Sequence, residues 1–238
     1  LLSVAGIKPP QHMQGHAFMG RYIEPEQPYV YGFRGRMDER YDLIRSVRDR
    51  RYVYIRNYMP HKIYGQHVSY MFLMPTTQVW KRLYDEGKLK PPQTYFWEPK
   101  PYEELYDLEK DPDEVRNLAG LPEYGPVLER MRKALDQWIL DVRDVGFLPE
   151  AEMHRRAGDQ SPYLVGRNPD RYPLEPIKQV AELAASAQPG VTEQLIKAIS
   201  HKDSAVRYWG TLGILMRKQA AVRQARPALL KALGDEAP

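Results

Sequence analysis

The sequence predicts an α+β fold: a small antiparallel sheet packed by a long helix, followed by an all-α segment. Three observations carry this expectation. Short runs of alternating apolar and polar residues lie between positions 29 and 108 with no regular helices between them, the pattern of an antiparallel sheet. An apolar stripe at helical spacing runs from 127 to 144. From position 172 the composition shifts to Ala, Leu, Ile and Lys. The 238 residues are 42% hydrophobic and 28% charged, with a net charge of +4, which suits a folded chain with a core and excludes full-length disorder.

The first seven residues, Leu1 to Ile7, read as the last turn of a helix closed by Gly6, whose start lies upstream. Residues 29–33 read as a strand. The strongest strand pattern is 47–58: Val47, Arg51, Val53 and Ile55 share one parity, and Arg48, Arg50, Tyr52, Tyr54, Arg56 and Tyr58 share the other. It predicts one half-buried strand with an apolar face and an aromatic-cationic face. Residues 77–86 predict a short amphipathic helix and 103–108 a further strand. Asp111-Pro112-Asp113-Glu114 has the makings of a helix start, so a short helix is expected up to Gly120. In the long helix over 127–144, Val127, Leu128, Met131, Leu135, Trp138, Ile139 and Val142 form the face expected to cover the sheet.

Residues 155–171 are rich in Gly, Pro, Arg, Asn and Asp and read as a linker or surface loop. Helices are expected over 175–187, 192–200, 204–216 and 225–233. The segments Leu195-Ile196-Lys197-Ala198-Ile199 and Leu229-Leu230-Lys231-Ala232-Leu233 match at an offset of 34 residues. With Asp203 and Val206-Arg207 at the turn, this tail resembles a HEAT-type helical repeat, whose units stack on neighbours. The second copy breaks off at Pro238, so the chain reads as a fragment of a longer protein.

Cysteine is absent, which excludes disulfides, thiolate metal sites and a cysteine nucleophile within this chain. No apolar run approaches the ~18 residues of a membrane-spanning helix. There is no Gly-x-Ser-x-Gly elbow, no Walker-type loop and no evident Ser–His–acid arrangement. His12 and His16 are four apart, but Gly15 and Pro9-Pro10 favour a loop over a metal-binding helix face. The richest chemistry lies in 34–62, where nine basic residues stand against four acidic ones. Three readings are open there. One is a charged face paired by its own carboxylates. Another is a site for sulfate, phosphate or carboxylate, which arginine forks bind in a two-pronged manner. The third is a nucleic-acid surface with stacked tyrosines, which the interspersed acids and modest net charge argue against.

The segment 37–58 (MDERYDLIRSVRDRRYVYIRNY) resembles the C-terminal subdomain of type I sulfatases, nearest the arylsulfatase and N-sulfoglucosamine sulfohydrolase-like group. Residues 104–119 (ELYDLEKDPDEVRNLA) resemble the strand–turn–helix of the same family, and the opening residues are similar to the stretch that ends the sulfatase core. The resemblance spans 1–155; 156–171 would be the linker and 172–238 the HEAT-like segment. It implies an enzyme of the alkaline phosphatase superfamily that uses a formylglycine and a calcium ion. The formylglycine motif, Cys/Ser-x-Pro-x-Arg, is absent here, so both groups are expected in a core outside this chain, and no catalytic or metal-binding residue is assigned to it. The resemblance further implies a role in recognising a sulfated saccharide or aryl substrate, with Arg45, Asp38 and Glu39 as the first candidates and Arg36, Arg34 and His61 behind them. For Arg45 the competing expectation is a structural ion pair with Asp42 or Asp49. A phosphodiesterase or phosphonate hydrolase of the same superfamily is the alternative, and a helical-repeat module that binds a protein partner is another. Family resemblance points to a periplasmic or secreted location, while the charge pattern and the lack of a long apolar run lead us to expect no nucleic-acid partner and no membrane span.

Overall fold

The computed structural model describes residues 1–186 and 188–237. Ala187, at the end of the helix expected over 175–187, and Pro238 lie outside the described residues. Four strands, β1 (Val30–Arg34), β2 (Ile44–Arg48), β3 (Tyr52–Asn57) and β4 (Glu103–Asp107), form one antiparallel sheet in the order β1-β2-β3-β4. Leu1 to Ile7 closes as a helix end: Gly6 adopts a φ of 75°, Ile7 N–H donates to Leu2 O and Gly6 N–H to Ser3 O.

The single strand expected over 47–58 is instead two strands joined by a tight turn. The Asp49 carboxylate accepts hydrogen bonds from the backbone N–H of Arg51 at 2.8 Å and of Tyr52 at 2.6 Å, which folds the chain back on itself. The faces are also reversed in β3. Tyr31, Val47, Tyr54 and Leu105 lie in register across the sheet and face the long helix, followed by the row Phe33, Arg45, Arg56 and Glu103. Tyr54 and Tyr58 are fully buried, while Val53 and Ile55 look to the opposite face beside Tyr106 and Glu104. The aromatic-cationic side can face inward because its polar tips are paired there: Tyr54 donates to Glu103, and Arg56 reaches Asp136 at 2.6 Å and Glu182 at 2.7 Å.

Between β3 and β4 lies α1 (Pro75–Asp85), flanked by one-turn helices Met71–Leu73 and Tyr95–Trp97. Their rings cluster: Trp80 stacks on Phe96 at 4.8 Å and meets Trp97 edge-on at 5.2 Å. After β4 the chain makes turns where a short helix was expected. Asp111 accepts from Arg116 N–H, Glu114 takes a φ of 53°, and Asn117 accepts from the N–H groups of Leu105 and Ala119. Those side-chain bonds satisfy the backbone in place of a helical ladder. The long helix is α2 (Gly125–Asp141), with Leu128, Met131, Leu135 and Ile139 buried on the sheet. Each such side chain stabilises the fold by roughly 1.5–3 kcal/mol relative to exposure. Trp138 stacks on Tyr31 at 4.8 Å.

The stretch expected as a linker carries the end of α3 (Glu150–Ala157) and all of α4 (Pro162–Gly166), and it places Ala157 and Val165 in the core. Four helices follow: α5 (Leu174–Ala185), α6 (Thr192–Ala198), α7 (Ser204–Met216) and α8 (Lys218–Ala232). The last begins seven residues earlier than the expected 225, because Ala221 and Ala225 bury a small-residue face there and Pro227 is accommodated inside the helix. Asp203 caps α7 by accepting from the N–H groups of Ala205 and Val206. Gly213 permits the close crossing of α5 and α7: a Cβ there would sit 2.8 Å from that of Ala184.

One hydrophobic core joins the sheet to these helices. Tyr58 meets Phe147 edge-on at 4.8 Å, and the Trp209 indole N–H donates to Phe147 O at 2.8 Å. Arg56 adds a buried polar tie between β3, α2 and α5. No helix among the described residues is long and apolar enough to cross a membrane.

Candidate anion-recognition site

The site candidates gather where the β1–β2 connection, residues 35–43, meets the segment that follows β3. The connection is a tight loop closed by reciprocal backbone bonds between Met37 and Arg40, at 2.8 and 3.0 Å. Asp38 sits exposed at its tip with a φ of 49°, a left-handed conformation that Asp tolerates better than most residues. Glu39 fastens the loop to the neighbouring segment by accepting from the N–H and hydroxyl of Ser69, at 2.7 and 2.8 Å. The Ser69 N–H, Glu39's own N–H and the Ser69 hydroxyl lower the carboxyl pKa to about 2. Arg36 is half exposed and reaches Glu150 at 2.6 Å.

Beneath the loop lies a buried ion pair. Lys100 Nζ donates to Asp42 Oδ2 at 2.5 Å, and both side chains are fully enclosed. Asp42 also accepts from Gln66 at 3.2 Å and from the N–H of Leu43 at 2.9 Å. Burial holds Lys100 below the ordinary lysine range; Asp42 opposes that shift and nearby Arg34 adds to it. Burial likewise lowers His61, with further lowering by Lys62 and Lys100 and opposition from Asp42. Arg34, Asp42, His61 and Lys100 therefore share one electrostatic neighbourhood, although they come from distant parts of the chain.

Arg34 Nη2, Arg40 Nε and His61 Nδ1 are buried and lack a hydrogen-bond partner among the described residues. Leaving such a group unsatisfied costs about 1–3 kcal/mol, so each of the three is open to a partner beyond the described residues. Two guanidinium groups and an imidazole are suited to the oxygens of a sulfate or carboxylate. The described residues contain no group of three or more His, Cys, Asp or Glu side chains that could hold a metal ion, and the sequence has no Cys/Ser-x-Pro-x-Arg motif. The residues present thus do not fit a calcium site or a formylglycine, and no step through either is derived from this chain.

Of the expected residues, Arg34, Arg36, Asp38, Glu39 and His61 lie in or around this loop cluster. Arg45 does not reach its surface. Its Nε and Nη2 donate to Asp144 at 2.5 and 3.0 Å, and its Nη1 to the carbonyls of Arg34 and Ile44 at 3.2 and 2.8 Å. With a side-chain exposure of 4%, it is enclosed and props up the backbone of Arg34. The partner is Asp144, whereas Asp42 and Asp49 are held by Lys100 and Arg130. The wider basic run is largely paired off too: Arg50 with Glu26, Arg51 with Asp107, and Arg56 with Asp136 and Glu182. Arg40 lies within the basic run singled out in the sequence and Asp42 is expected there only as an ion-pair partner of Arg45, while Lys100 is not among the expected residues. The spacing of Arg40 and Asp42 inside the quoted motif held a signal, but Lys100 is 58 positions from its partner and offered none.

No protein-family model matches the chain. It is 45% identical over 154 residues to an ulvan-active sulfatase of Formosa agariphila, a match covering 64% of this chain and 26% of that protein. A second ulvan-active sulfatase of the same organism is 32% identical over 158 residues, covering 60% of this chain and 28% of the relative. A Δ4,5-hexuronate-2-O-sulfatase of Bacteroides thetaiotaomicron is 48% identical over 42 residues, covering 18% of this chain and 9% of the relative. Among solved structures, a protein of Bacteroides thetaiotaomicron proposed to be a sulfatase matches at 26% identity and a TM-score of 0.36, covering 59% of this chain and 23% of that one. A 2-O GAG sulfatase matches at 24% identity and a TM-score of 0.38, covering 60% and 23%. The chain spans about a quarter of the length of the two ulvan-active sulfatases, and it is to a part of such enzymes that it is similar.

Proposed function

We propose that this chain is the carboxy-terminal part of a sulfatase that hydrolyses sulfate esters or N-sulfates of an anionic saccharide or aryl compound, and that its loop cluster forms one wall of the substrate cleft. The observation that carries the proposal is the 45% identity over 154 residues to an ulvan-active sulfatase. The unpartnered groups of Arg34, Arg40 and His61 support it by offering donors of the kind an anionic saccharide needs. In this reading Arg34, Arg40 and His61 contact substrate, with Arg36 and Asp38 at the exposed rim. Glu39 and Arg45 position the loop. The nucleophile and calcium belong to residues outside this chain. Sulfate transfer places negative charge in a water-poor site, where preoriented cationic groups are most effective.

Residues 172–238 would form a HEAT-like repeat segment able to take a protein partner, and the enzyme would work in the periplasm or outside the cell. The test is sulfate release by the purified full-length gene product from ulvan and from a Δ4,5-hexuronate-2-O-sulfated saccharide. Turnover of either supports the proposal, and the 238-residue chain alone is expected to be inactive. Turnover of phosphodiesters or phosphonates without sulfate release would favour the superfamily alternative.

A further inference from the structure

Tyr41 is the joint of the β1–β2 connection. It directly follows Arg40, whose Nε is buried without a partner among the described residues. Its carbonyl accepts from Lys62 Nζ at 2.8 Å, and the same ammonium lies 5.3 Å from the centre of its ring. Lys62 directly follows His61, whose Nδ1 is likewise buried without a partner among the described residues. One residue thus ties the backbone that carries Arg40 to the backbone that carries His61.

Tyr41 is held in turn by the helical segment. The Tyr208 phenol, on α7, meets the Tyr41 phenol hydroxyl to hydroxyl, with Tyr208 on the donor side. Both rings are partly buried and pack against the core. Tyr208 stands on firm ground: its ring lies edge-on to Trp209 at 5.5 Å, and Trp209 is enclosed and donates to Phe147 O at 2.8 Å. A second tie reaches the same connection, from Glu150 of α3 to Arg36 at 2.6 Å. Both of its side chains are about half exposed, and exposed ion pairs add little. The tyrosine pair is the firmer of the two.

We propose that Tyr208 is a positioning residue for substrate recognition: through Tyr41 it fixes Arg40 and His61, so that the helical segment strengthens substrate binding without touching the substrate. This role rests on the sulfatase reading above and deepens it. Side chains that recognise a ligand are effective when a supporting layer holds them to a fraction of an ångström. Without that support the substrate must order the loop as it binds, and affinity falls.

The experiment is steady-state kinetics of the full-length gene product on ulvan and on a Δ4,5-hexuronate-2-O-sulfated saccharide. Tyr208→Phe keeps the ring and removes the hydroxyl. It is expected to raise KM by about fivefold with kcat and the unfolding midpoint unchanged. Tyr41→Phe removes the other hydroxyl and is expected to match it, and the double variant to be no worse than either single one. Exchange of the Arg40 and Lys62 amides with deuterium is expected to accelerate by about fivefold in Tyr208→Phe. A wild-type KM in Tyr208→Phe overturns the role, and so do additive effects of the two substitutions. A raised KM that comes with a lowered unfolding midpoint makes Tyr208 a structural residue only. Arg34→Ala separates this role from the reading beneath it: if Arg34→Ala lowers kcat/KM while Tyr208→Phe is silent, only the positioning role falls. If Arg34→Ala is also silent, or neither saccharide releases sulfate, both fall.

Discussion

Arg45 and Asp144, 99 positions apart, form a two-pronged ion pair, Nε to Oδ2 at 2.5 Å and Nη2 to Oδ1 at 3.0 Å. The pair clamps β2 to the turn after α2, and the same guanidinium holds the carbonyl of Arg34 at the mouth of the loop cluster. Asp144 also accepts from Gly146 N–H, and a Cβ on Gly146 would come 2.1 Å from Arg45 Nη2, so the clamp leaves no room for another residue there.

Removing one member of a buried pair strands the other charge. Arg45→Ala is therefore expected to destabilise the chain by about 3–5 kcal/mol in denaturant unfolding. Arg45→Met combined with Asp144→Leu is expected to recover most of that loss. An Arg45→Ala variant with unchanged stability but lost saccharide binding would reverse this assignment and make Arg45 a substrate contact.

Acid sensitivity is expected from Glu152, 1% exposed in α3. Burial alone would raise its pKa, but hydrogen bonds from Arg155, Ser204 and Arg156 outweigh that and lower it from 4.5 to about 2. A carboxylate depressed in the folded state contributes stability that is fully present above about pH 4.5 and is lost as the pH falls toward 2. The contribution is about 3 kcal/mol at most. Unfolding free energies measured across that window should fall steeply in the wild type and more shallowly in Glu152→Gln; parallel profiles would remove Glu152 from the account.

Glu39 is expected to act on loop order. Glu39→Gln weakens the bonds to the Ser69 N–H and hydroxyl, so exchange of the Ser69 amide with deuterium should accelerate by about tenfold. Exchange at wild-type rate would mean that the loop is held elsewhere.

Much of the architecture was legible in periodicity. The stripe of Leu128, Met131, Leu135 and Ile139 needs only a 3.6-residue repeat to be recognised, and α2 follows it. The edge strand and β4 were legible for the same reason. The turn at Asp49 was not, because Arg and Tyr continue the alternation straight through it while the decisive event is a side-chain bond to two backbone amides. The inward-facing Tyr54 and Arg56 were equally hidden: their burial depends on Glu103, Asp136 and Glu182, which only the folded chain brings near. The same limit applies to the candidate site: its loop candidates come from a local motif, whereas the Lys100–Asp42 pair beneath the loop joins positions 58 apart and left no local pattern.

The shared core predicts one cooperative transition. Trp209 is buried between both halves and bonded to Phe147 O, so Trp209→Ala is expected to cost about 3–5 kcal/mol and to destabilise the sheet as well as the helices. Tryptophan fluorescence and far-ultraviolet circular dichroism should give coincident unfolding curves. Separate transitions would divide the chain into independent domains, and a truncation lacking 172–238 would then fold alone.

The central claim is that the loop cluster recognises the anionic substrate of a sulfatase, and kinetics on the full-length gene product test it most directly. With a Δ4,5-hexuronate-2-O-sulfated saccharide as substrate, Arg34→Ala is expected to lower kcat/KM by about a hundredfold, roughly 3 kcal/mol of lost transition-state binding, without lowering the unfolding midpoint. A folded Arg34→Ala enzyme that releases sulfate with wild-type kcat/KM would contradict the account.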